Sequence, residues 1–420
     1  MTRETTPIEL AAARAREASR VIGALDAPTR DRVLLTLADA VEREAPALLA
    51  ANAEDLAAAR RDALPEPKLR RLELTASSLA QLAAGLRQIA AMPDPIGLVT
   101  RAWDVPSGLH VERVRTPLGV VAMIYEARPG VTVDAFALCF KAGNACILKG
   151  GREAARSNRA LAELARRALI EHHAPEHAIT LLTTSDRDEI RRLLSLSELI
   201  DLVIPRGGES LIRFVREHSR IPTVQHDKGV CHIFVDETAD AGDAADLCLS
   251  AKASAPAACN ALECVLVHRA IAPAFAPRLA SACAAAGVEL RADERFRALA
   301  GGAPVTPATD ADWGAEFLDL ILAAKVVDSI DDAIAHIARF TSGHTESILT
   351  RDDANAGRFC RGVTSSCVLV NASTRFNDGF QLGLGAEIGI STSRVHWYGP
   401  MGLEGLTIER FVVRGSGQRR

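Results

Sequence analysis

Cys259 stands in Ala255-Pro-Ala-Ala-Cys259-Asn260-Ala-Leu-Glu263, between a run of small residues and the apolar stretch Ala261–Val267. A thiol in a small-residue turn ahead of a strand is well placed to be a nucleophile, provided its surroundings permit the thiolate. For any one of nine cysteines a packed structural role is the competing reading. The rest of the sequence has to decide between them.

Two junctions upstream have the composition of a ribose or phosphate site. Lys141-Ala-Gly-Asn144 leads into Ala145-Cys-Ile-Leu-Lys149-Gly150-Gly151, which places a lysine at the end of an apolar run, ahead of two glycines and a helix. Such a junction suits a ribose or a phosphate, although glycines after strands also make ordinary turns. Pro205-Arg206-Gly207-Gly208-Glu209-Ser210 is a second junction that opens a helix. Its backbone N–H groups can cradle an anion, and Arg206 is placed to reach a 2′-phosphate. No Gly-x-Gly-x-x-Gly run occurs, so an ordinary dinucleotide fingerprint is not supported.

Three polar segments follow apolar runs. Tyr125-Glu126-Ala-Arg128-Pro129 presents either Arg128 or Glu126 to a pocket, or else a surface charge pair. Thr341-Ser342-Gly343-His344-Thr345-Glu346 is a polar turn suited to an anionic substrate. Asn371-Ala-Ser373-Thr374-Arg375-Phe-Asn377-Asp378 can hold a small charged ligand. His336, in Ala333-Ile-Ala-His336, is expected to pack in a helix, and Cys264 in a strand.

These residues need a scaffold. The first hundred residues carry apolar positions at helical spacing, such as Val33, Leu34, Leu37, Ala38 and Val41, or Leu79, Leu82, Leu86 and Ile89. From about residue 108 the period shortens. Strands are expected at His110–Arg115, Val120–Tyr125, Ala145–Lys149, Ile179–Thr183 and Leu199–Ile204, with helices between them. That order means βαβ units and a mainly parallel sheet. This block ends near Asp236. A second block begins with a helix over Asp243–Ala253. Its strands are expected at Leu262–Val267, Leu318–Leu322, Glu346–Leu349 and Val368–Val370. Its further helices are expected at Ala272–Ala286, Asp331–Ala338 and Ala354–Arg361. The alternating late segment Leu406–Val413 pairs with His110–Arg115 or with another subunit.

The 420 residues carry a net charge of −4 with no long basic block, which argues against nucleic acid or an anionic membrane as partner. No stretch reaches the roughly 18 apolar residues of a membrane helix, and the N-terminus has no signal-like apolar region. The nine cysteines form no Cys-x-x-Cys pair, so neither a disulfide framework nor a metal site is suggested. A reducing cytoplasm fits.

Taken together, these segments resemble the glutamate-5-semialdehyde dehydrogenases, also called γ-glutamyl phosphate reductases, of the aldehyde dehydrogenase superfamily. The resemblance runs from about residue 100 onward. Besides the segments above, it includes Ile204-Pro-Arg-Gly-Gly208 and Gly399-Pro-Met-Gly-Leu-Glu-Gly-Leu406. The family's histidine-rich signature falls on Val327–Ile348. Three positions depart from the family pattern: Ala255 replaces a usual arginine, Phe340 a usual His or Tyr, and Thr341 a usual Gly or Ser.

The resemblance implies an α/β fold of two Rossmann-like domains plus a small β-extension for oligomerisation. The cofactor domain would span 1–107 and 118–235 with part of 376–400, the catalytic domain 236–375, and the extension 108–117 and 401–415. It implies NADPH as cofactor, a homo-oligomer, functional coupling to glutamate 5-kinase, and a step of proline biosynthesis. Cys259 falls on the family's nucleophile. Lys149, Gly150, Gly151, Arg206, Gly207, Gly208 and Glu316 would hold the cofactor, with Lys149 on the adenosine ribose and Glu316 on the nicotinamide ribose. Asn260, Ser342, His344 and Arg375 would meet the substrate. Arg128 or Asn144 would join the Cys259 N–H in stabilising the oxyanion.

Hydrolytic relatives place a general-base glutamate in a Glu-Leu-Gly-Gly segment. The matching stretch here, Val224-Gln225-His226-Asp227-Lys228-Gly229-Val-Cys231-His232, has no glutamate. A thioester awaiting hydride is better off without an activated water. His226 and Asp227 are the remaining candidates for a base there. Two alternatives stay open, a reductase of another acyl phosphate or acyl-CoA and a non-catalytic scaffold.

Overall fold

Val120–Tyr125 is apolar throughout, and a strand of that kind must be covered on both faces. In the computed structural model, which describes residues 6–184, 186–225 and 228–420, every residue of this strand is buried. The described chain divides into two compact units. The first holds the described residues up to Gln225 together with Gly383–Gly389 and Met401–Arg420.

The first unit's strands before residue 207 are β1 (Val99–Asp104), β2 (His110–Pro117), β3 (Val120–Tyr125), β4 (Ala145–Lys149), β5 (Ile179–Leu181) and β6 (Leu202–Arg206). Parallel pairing gives the order β5-β4-β3-β6. The carboxyl ends of β3, β4 and β6 therefore lie side by side, carrying Tyr125, Lys149 and Arg206. Helices Pro7–Ile22 and Val131–Lys141 pack on this sheet. Asp201 fixes the start of β3, accepting the Val120 N–H at 2.7 Å while paired with Arg16 at 2.8 Å.

Antiparallel strands β1 and β2 and the late strand Thr407–Arg414 form a separate three-stranded sheet. The late strand lies on β2 from Thr407↔Pro117 to Arg414↔His110, which selects the intrachain pairing of the two anticipated. Asn144 ties this sheet to the core. Its Oδ1 accepts the Gly119 N–H and its Nδ2 donates to the Leu406 carbonyl, each at 2.8 Å.

The second unit comprises the described part of His226–Leu382 and Ile390–Pro400. Its strands are β7 (Cys231–Val235), β8 (Leu262–His268), β9 (Glu289–Ala292), β10 (Thr306–Pro307), β11 (Ile321–Val327), β12 (Thr345–Leu349) and β13 (Cys367–Val370). They form one parallel sheet in the order β10-β9-β11-β8-β7-β12-β13. Strand alternation sends side chains to opposite faces. Val265 and Val267 of β8 pack with Phe275 and Leu279 of helix Ala272–Ala285. Cys264 and Leu266 pack with Ala333 and Ile337 of helix Ile330–Phe340, and with Phe359.

Several boundaries differ from the sequence reading. The break between units falls at 225/226 and not 235/236, because β7 pairs with β8 and β12 in the second sheet. Of the 376–400 segment, Gly383–Gly389 joins the first unit. β11 begins at Ile321 and not Leu318, since Leu318 has φ +54°, a left-handed conformation a strand does not admit. β6 begins at Leu202, because Leu199 is in a turn. β1, β7, β9 and β10 were not anticipated.

Candidate functional site

Cys259 lies in the tight turn between helix Ala241–Ala253 and β8, closed by the Ala258 N–H on the Ala255 carbonyl at 3.0 Å and the Ala261 N–H on the Ala258 carbonyl at 2.9 Å. It is half-buried. Cys139, Cys146, Cys231, Cys248, Cys264 and Cys283 are buried, and burial pushes their thiols up, Cys139 to about 12. Those six are thiols, not thiolates, at neutral pH. No described cysteine is in a disulfide.

The turn is braced from below. Gly229 runs so close that a Cβ there would sit 1.9 Å from the Cys259 carbonyl oxygen. The Gly229 N–H donates to Glu316 Oε1 at 2.8 Å, and the adjacent Val230 N–H to Ser342 Oγ at 2.9 Å. The Cys231 thiol donates to the Cys259 carbonyl at 3.3 Å and lies 3.7 Å from His344 Nδ1. His344 Nδ1 is also 2.7 Å from Thr345 Oγ1. Glu316, Ser342 and His344 are thus gathered around the Gly229–Cys231 segment beneath Cys259. Burial pushes the Glu316 carboxyl up, against the Gly229 hydrogen bond and the Lys228 and Lys252 charges.

One end of the Asn260 amide is committed to structure. It is buried, and its Nδ2 donates to the Asn377 carbonyl at 3.0 Å, pinning the 371–378 loop to the turn. Its Oδ1 is buried with no hydrogen-bond partner among the described residues. On the same loop, the half-buried Arg375 has a guanidinium without a hydrogen-bond or ion-pair partner among the described residues. Behind the turn, Glu263 pairs with Lys252 at 2.6 Å in full burial, and burial pushes its carboxyl up to about 7.

Two of the three departures acquire local reasons. The Thr341 hydroxyl donates to buried Glu346, which also accepts from the Ser365 hydroxyl at 2.9 Å and from His232 at Nδ1 and the backbone N–H. The Phe340 ring lies 4.7 Å from that of His336, which packs edge-on to Trp313 and His232 as a helix residue should. Ala255 contributes only its backbone carbonyl to the turn, and nothing in the structure explains the alanine. His232, Cys264 and His336 together form a buried trio with ligand atoms within 4.8 Å of one another. Cysteine spacing along the chain does not register such a cluster, because its members come from β7, β8 and helix Ile330–Phe340.

In the first unit, the Lys149 Nζ donates to the Gly150 carbonyl at 2.9 Å, and burial lowers its pKa, partly offset by Glu153 and Glu126. A Cβ on Gly150 would lie 2.1 Å from Asn158 Nδ2. The Gly151 position sits against the Glu153 carboxylate. Glu153 Oε1 accepts the Ala127 N–H at 2.8 Å, holding Ala127 at φ +38° and so orienting the following Arg128. Glu126 turns instead to the other junction, packing on Gly207 and accepting the Gly208 N–H at 3.4 Å. Gly208 opens helix Glu209–His218 with no atom within 4 Å of where its Cβ would be. Arg206 has no side-chain partner among the described residues.

Asn144 does not join this group. It lies at the amino end of β4, and both ends of its amide are occupied by Gly119 and Leu406. The oxyanion role considered for it is corrected to a brace. Arg128 instead lines a cleft of the first unit with Arg71, Glu73, Asp134, Arg206 and Glu387. Asp134 was missed, because an acid in the first turn of a helix reads as a dipole partner. Gly229 was missed because a lone glycine does not announce a close backbone approach. His226 and Asp227, the remaining base candidates, lie outside the described residues.

A sequence model of the aldehyde dehydrogenase family matches residues 2–302. A gamma-glutamyl phosphate reductase of Xanthomonas axonopodis pv. citri is 52% identical over 413 residues, covering 98% of this chain and 99% of that protein. The chain belongs to the γ-glutamyl phosphate reductases of the aldehyde dehydrogenase family. A γ-glutamyl phosphate reductase of Xylella fastidiosa is 54% identical over 405 residues, covering 96% and 95% of the two chains. The crystal structure of the γ-glutamyl phosphate reductase of Thermotoga maritima superposes with a TM-score of 0.96 at 40% identity, covering 99% of this chain and 100% of that one. An acetylating aldehyde dehydrogenase from Geobacillus thermoglucosidasius, 16% identical with a TM-score of 0.67 and covering 98% and 97%, shares the fold. Among the described residues no helix is long and apolar enough to cross a membrane.

Proposed function

We propose that this chain reduces γ-glutamyl phosphate to glutamate-5-semialdehyde and phosphate with NADPH, through a thioester on Cys259, as a cytoplasmic step of proline biosynthesis. The observation that carries the reading is the half-buried Cys259 in a braced turn, in a chain more than half identical to proteins of that name over nearly its whole length.

In this reading the second unit carries the nucleophile and the first holds the cofactor. The Cys259 thiolate attacks the acyl carbon, the carbon–oxygen bond to phosphate breaks, and inorganic phosphate leaves. NADPH, when bound, supplies the hydride to the acyl carbon. Collapse of the thiohemiacetal then breaks the C–S bond and regenerates the thiolate. The Cys259 N–H and Arg128 stabilise the oxyanion, and losing one such donor typically costs about 10²–10³ in rate.

The first unit's residues suit a phosphorylated dinucleotide. The open Gly208 position at a helix start, with Arg206 beside it and unpaired, fits a phosphate, and Lys149 at the end of β4 fits the adenosine ribose. Glu316 keeps one oxygen beyond its Gly229 bond for the nicotinamide ribose. Ser342, His344 and Arg375 receive the substrate, with the unpaired guanidinium of Arg375 suited to its carboxylate. The exposed Ile408, Phe411 and Val413 of the late strand support assembly of a homo-oligomer through the extension. A labile acyl phosphate also favours functional coupling to the glutamate 5-kinase that makes it.

The reverse assay tests the reading. Glutamate-5-semialdehyde, NADP and inorganic phosphate are supplied, and reduced cofactor is followed by absorbance. Strict phosphate dependence is expected. Oxidation to free glutamate without phosphate would sink the proposal, as would a Cys259→Ser variant that keeps near-normal rate in place of a loss of at least about 10³-fold.

A further inference from the structure

Strand register in the second unit lays three chemically capable residues in one row. Glu346 of β12 is paired with His232 of β7, and His232 with Cys264 of β8. Alternation along the strands puts His232 on the face of Phe234, and Cys264 on the face of Leu266. Helix Ile330–Phe340 covers that face through Ala333 and Ile337, and its period adds His336 to the same stripe. The next position of the row, on β11, is Ala323, whose single methyl adds little bulk beneath the helix.

The Glu346 carboxylate accepts from His232 Nδ1 at 2.9 Å, which fixes the imidazole proton on that nitrogen. Nε2 is left with its lone pair, fully buried and without a hydrogen-bond partner among the described residues. A buried polar atom in that state is costly unless something fills the place it points to. What lies nearby is a second imidazole and a thiol. The His336 ring stands at 78° to that of His232 with centroids 5.7 Å apart, and His336 Nε2 is 3.9 Å from the Cys264 sulfur. Ligand atoms on a tetrahedral zinc lie roughly 3.3–3.6 Å from one another. The trio, within 4.8 Å, closes to that spacing by side-chain shifts on the order of 1 Å. A carboxylate on the far nitrogen of a ligand imidazole is the usual support of such a site. Charge also balances. A Cys264 thiolate and the Glu346 carboxylate together match a dication, while Lys325 and Arg339 lie over the Trp313 and Phe340 rings, at 5.4 and 5.0 Å.

We propose that His232, Cys264 and His336 form a binding site for a thiophilic divalent cation of the zinc type, with Glu346 as the positioning residue for His232. Binding forms one sulfur–metal and two nitrogen–metal bonds and releases the Cys264 thiol proton to solvent, with no change of oxidation state. The proposed reduction has no use for this cation, so its role is structural. It fastens β7, β8 and helix Ile330–Phe340 to one another, and His232 directly follows Cys231, whose thiol donates to the Cys259 carbonyl.

The test uses the full chain, reduced, stripped of metal by dialysis against EDTA, and titrated with cobalt(II) chloride as a coloured stand-in for zinc. Each addition is equilibrated to constant absorbance, because the site is buried. A thiolate-to-cobalt charge-transfer band with visible d–d absorption is expected, saturating at one equivalent and bleached by one equivalent of zinc chloride. Cys259→Ser should keep the whole spectrum, which separates this thiol from the nucleophile. Cys264→Ala should lose the charge-transfer band, and Glu346→Gln should weaken cobalt binding by about 10–100-fold. If Cys264→Ala does not fold, His336→Phe decides in its place, with a loss of affinity at least as large. Absence of the band in the wild-type chain overturns the proposal. So does a band of full amplitude in folded Cys264→Ala or undiminished affinity in His336→Phe, either of which marks an adventitious ion only, and so does a band that vanishes in Cys259→Ser.

Discussion

Gly229→Ala should disable the nucleophile without touching it. The added Cβ would lie 1.9 Å from the Cys259 carbonyl oxygen and 2.7 Å from its Cα. Real Cβ atoms essentially never come closer than 3.0 Å, so the two backbones must part by about 1.1 Å. Both atoms of the clash are main chain, and no side-chain rotation relieves it. Movement of Gly229 would instead break its bond to Glu316, and movement of Cys259 would shift the thiol and the oxyanion-binding N–H together. A displacement of about 1 Å at a reacting group costs on the order of 10² in rate, and overpacking of this kind costs about 1–3 kcal/mol of stability. The assay is kcat in the phosphate-dependent reverse reaction, beside iodoacetamide labelling of Cys259 and a denaturant midpoint. A folded Gly229→Ala enzyme with kcat within twofold of wild type would refute the claim that this contact sets the position of the thiol.

Two further predictions concern residues away from the nucleophile. Asn144→Ala should lose about 1–3 kcal/mol of stability through the orphaned Gly119 N–H and Leu406 carbonyl, with kcat near normal. A 10²-fold fall in kcat at unchanged denaturant midpoint would restore it as an oxyanion donor. His336 is held neutral by burial, its pKa lowered from 6.5 to about 3. The unfolded state therefore binds the proton first, and stability present above pH 6.5 drains away as pH falls toward 3, by roughly 5 kcal/mol in all. His336→Phe should move the acid-unfolding midpoint to lower pH, and an unmoved or higher midpoint would contradict the buried neutral ring.

Much of the scaffold could be read from the sequence where periodicity and apolar continuity agree. Val120–Tyr125 and Ala145–Lys149 were found because a doubly covered parallel strand is apolar throughout. β11 was misplaced because Lys325 interrupts its apolar run, while the apolar Leu318 just before it sits in a left-handed turn. The turn at Cys259 was legible from its small residues, whereas its supports were not. Gly229 and Cys231 reach it from a different strand, and no local pattern encodes that meeting. Asn144 looks like a functional polar residue in the sequence, and only the positions of its partners show that it is a brace.

The chain passes between its two units four times, at 225/226, 382/383, 389/390 and 400/401. Nascent protein emerging from a ribosome could therefore complete nearly all of the second unit while the first still lacked two pieces. One of those pieces carries the Leu406 carbonyl that Asn144 awaits, and the other carries Glu387 of the cleft. Dissection into separately expressed halves by a single cut would leave the first unit unfinished. A circular permutant whose new termini fall within the 226–382 stretch of the second unit would make the three pieces of the first in one run of synthesis, broken only by Ile390–Pro400.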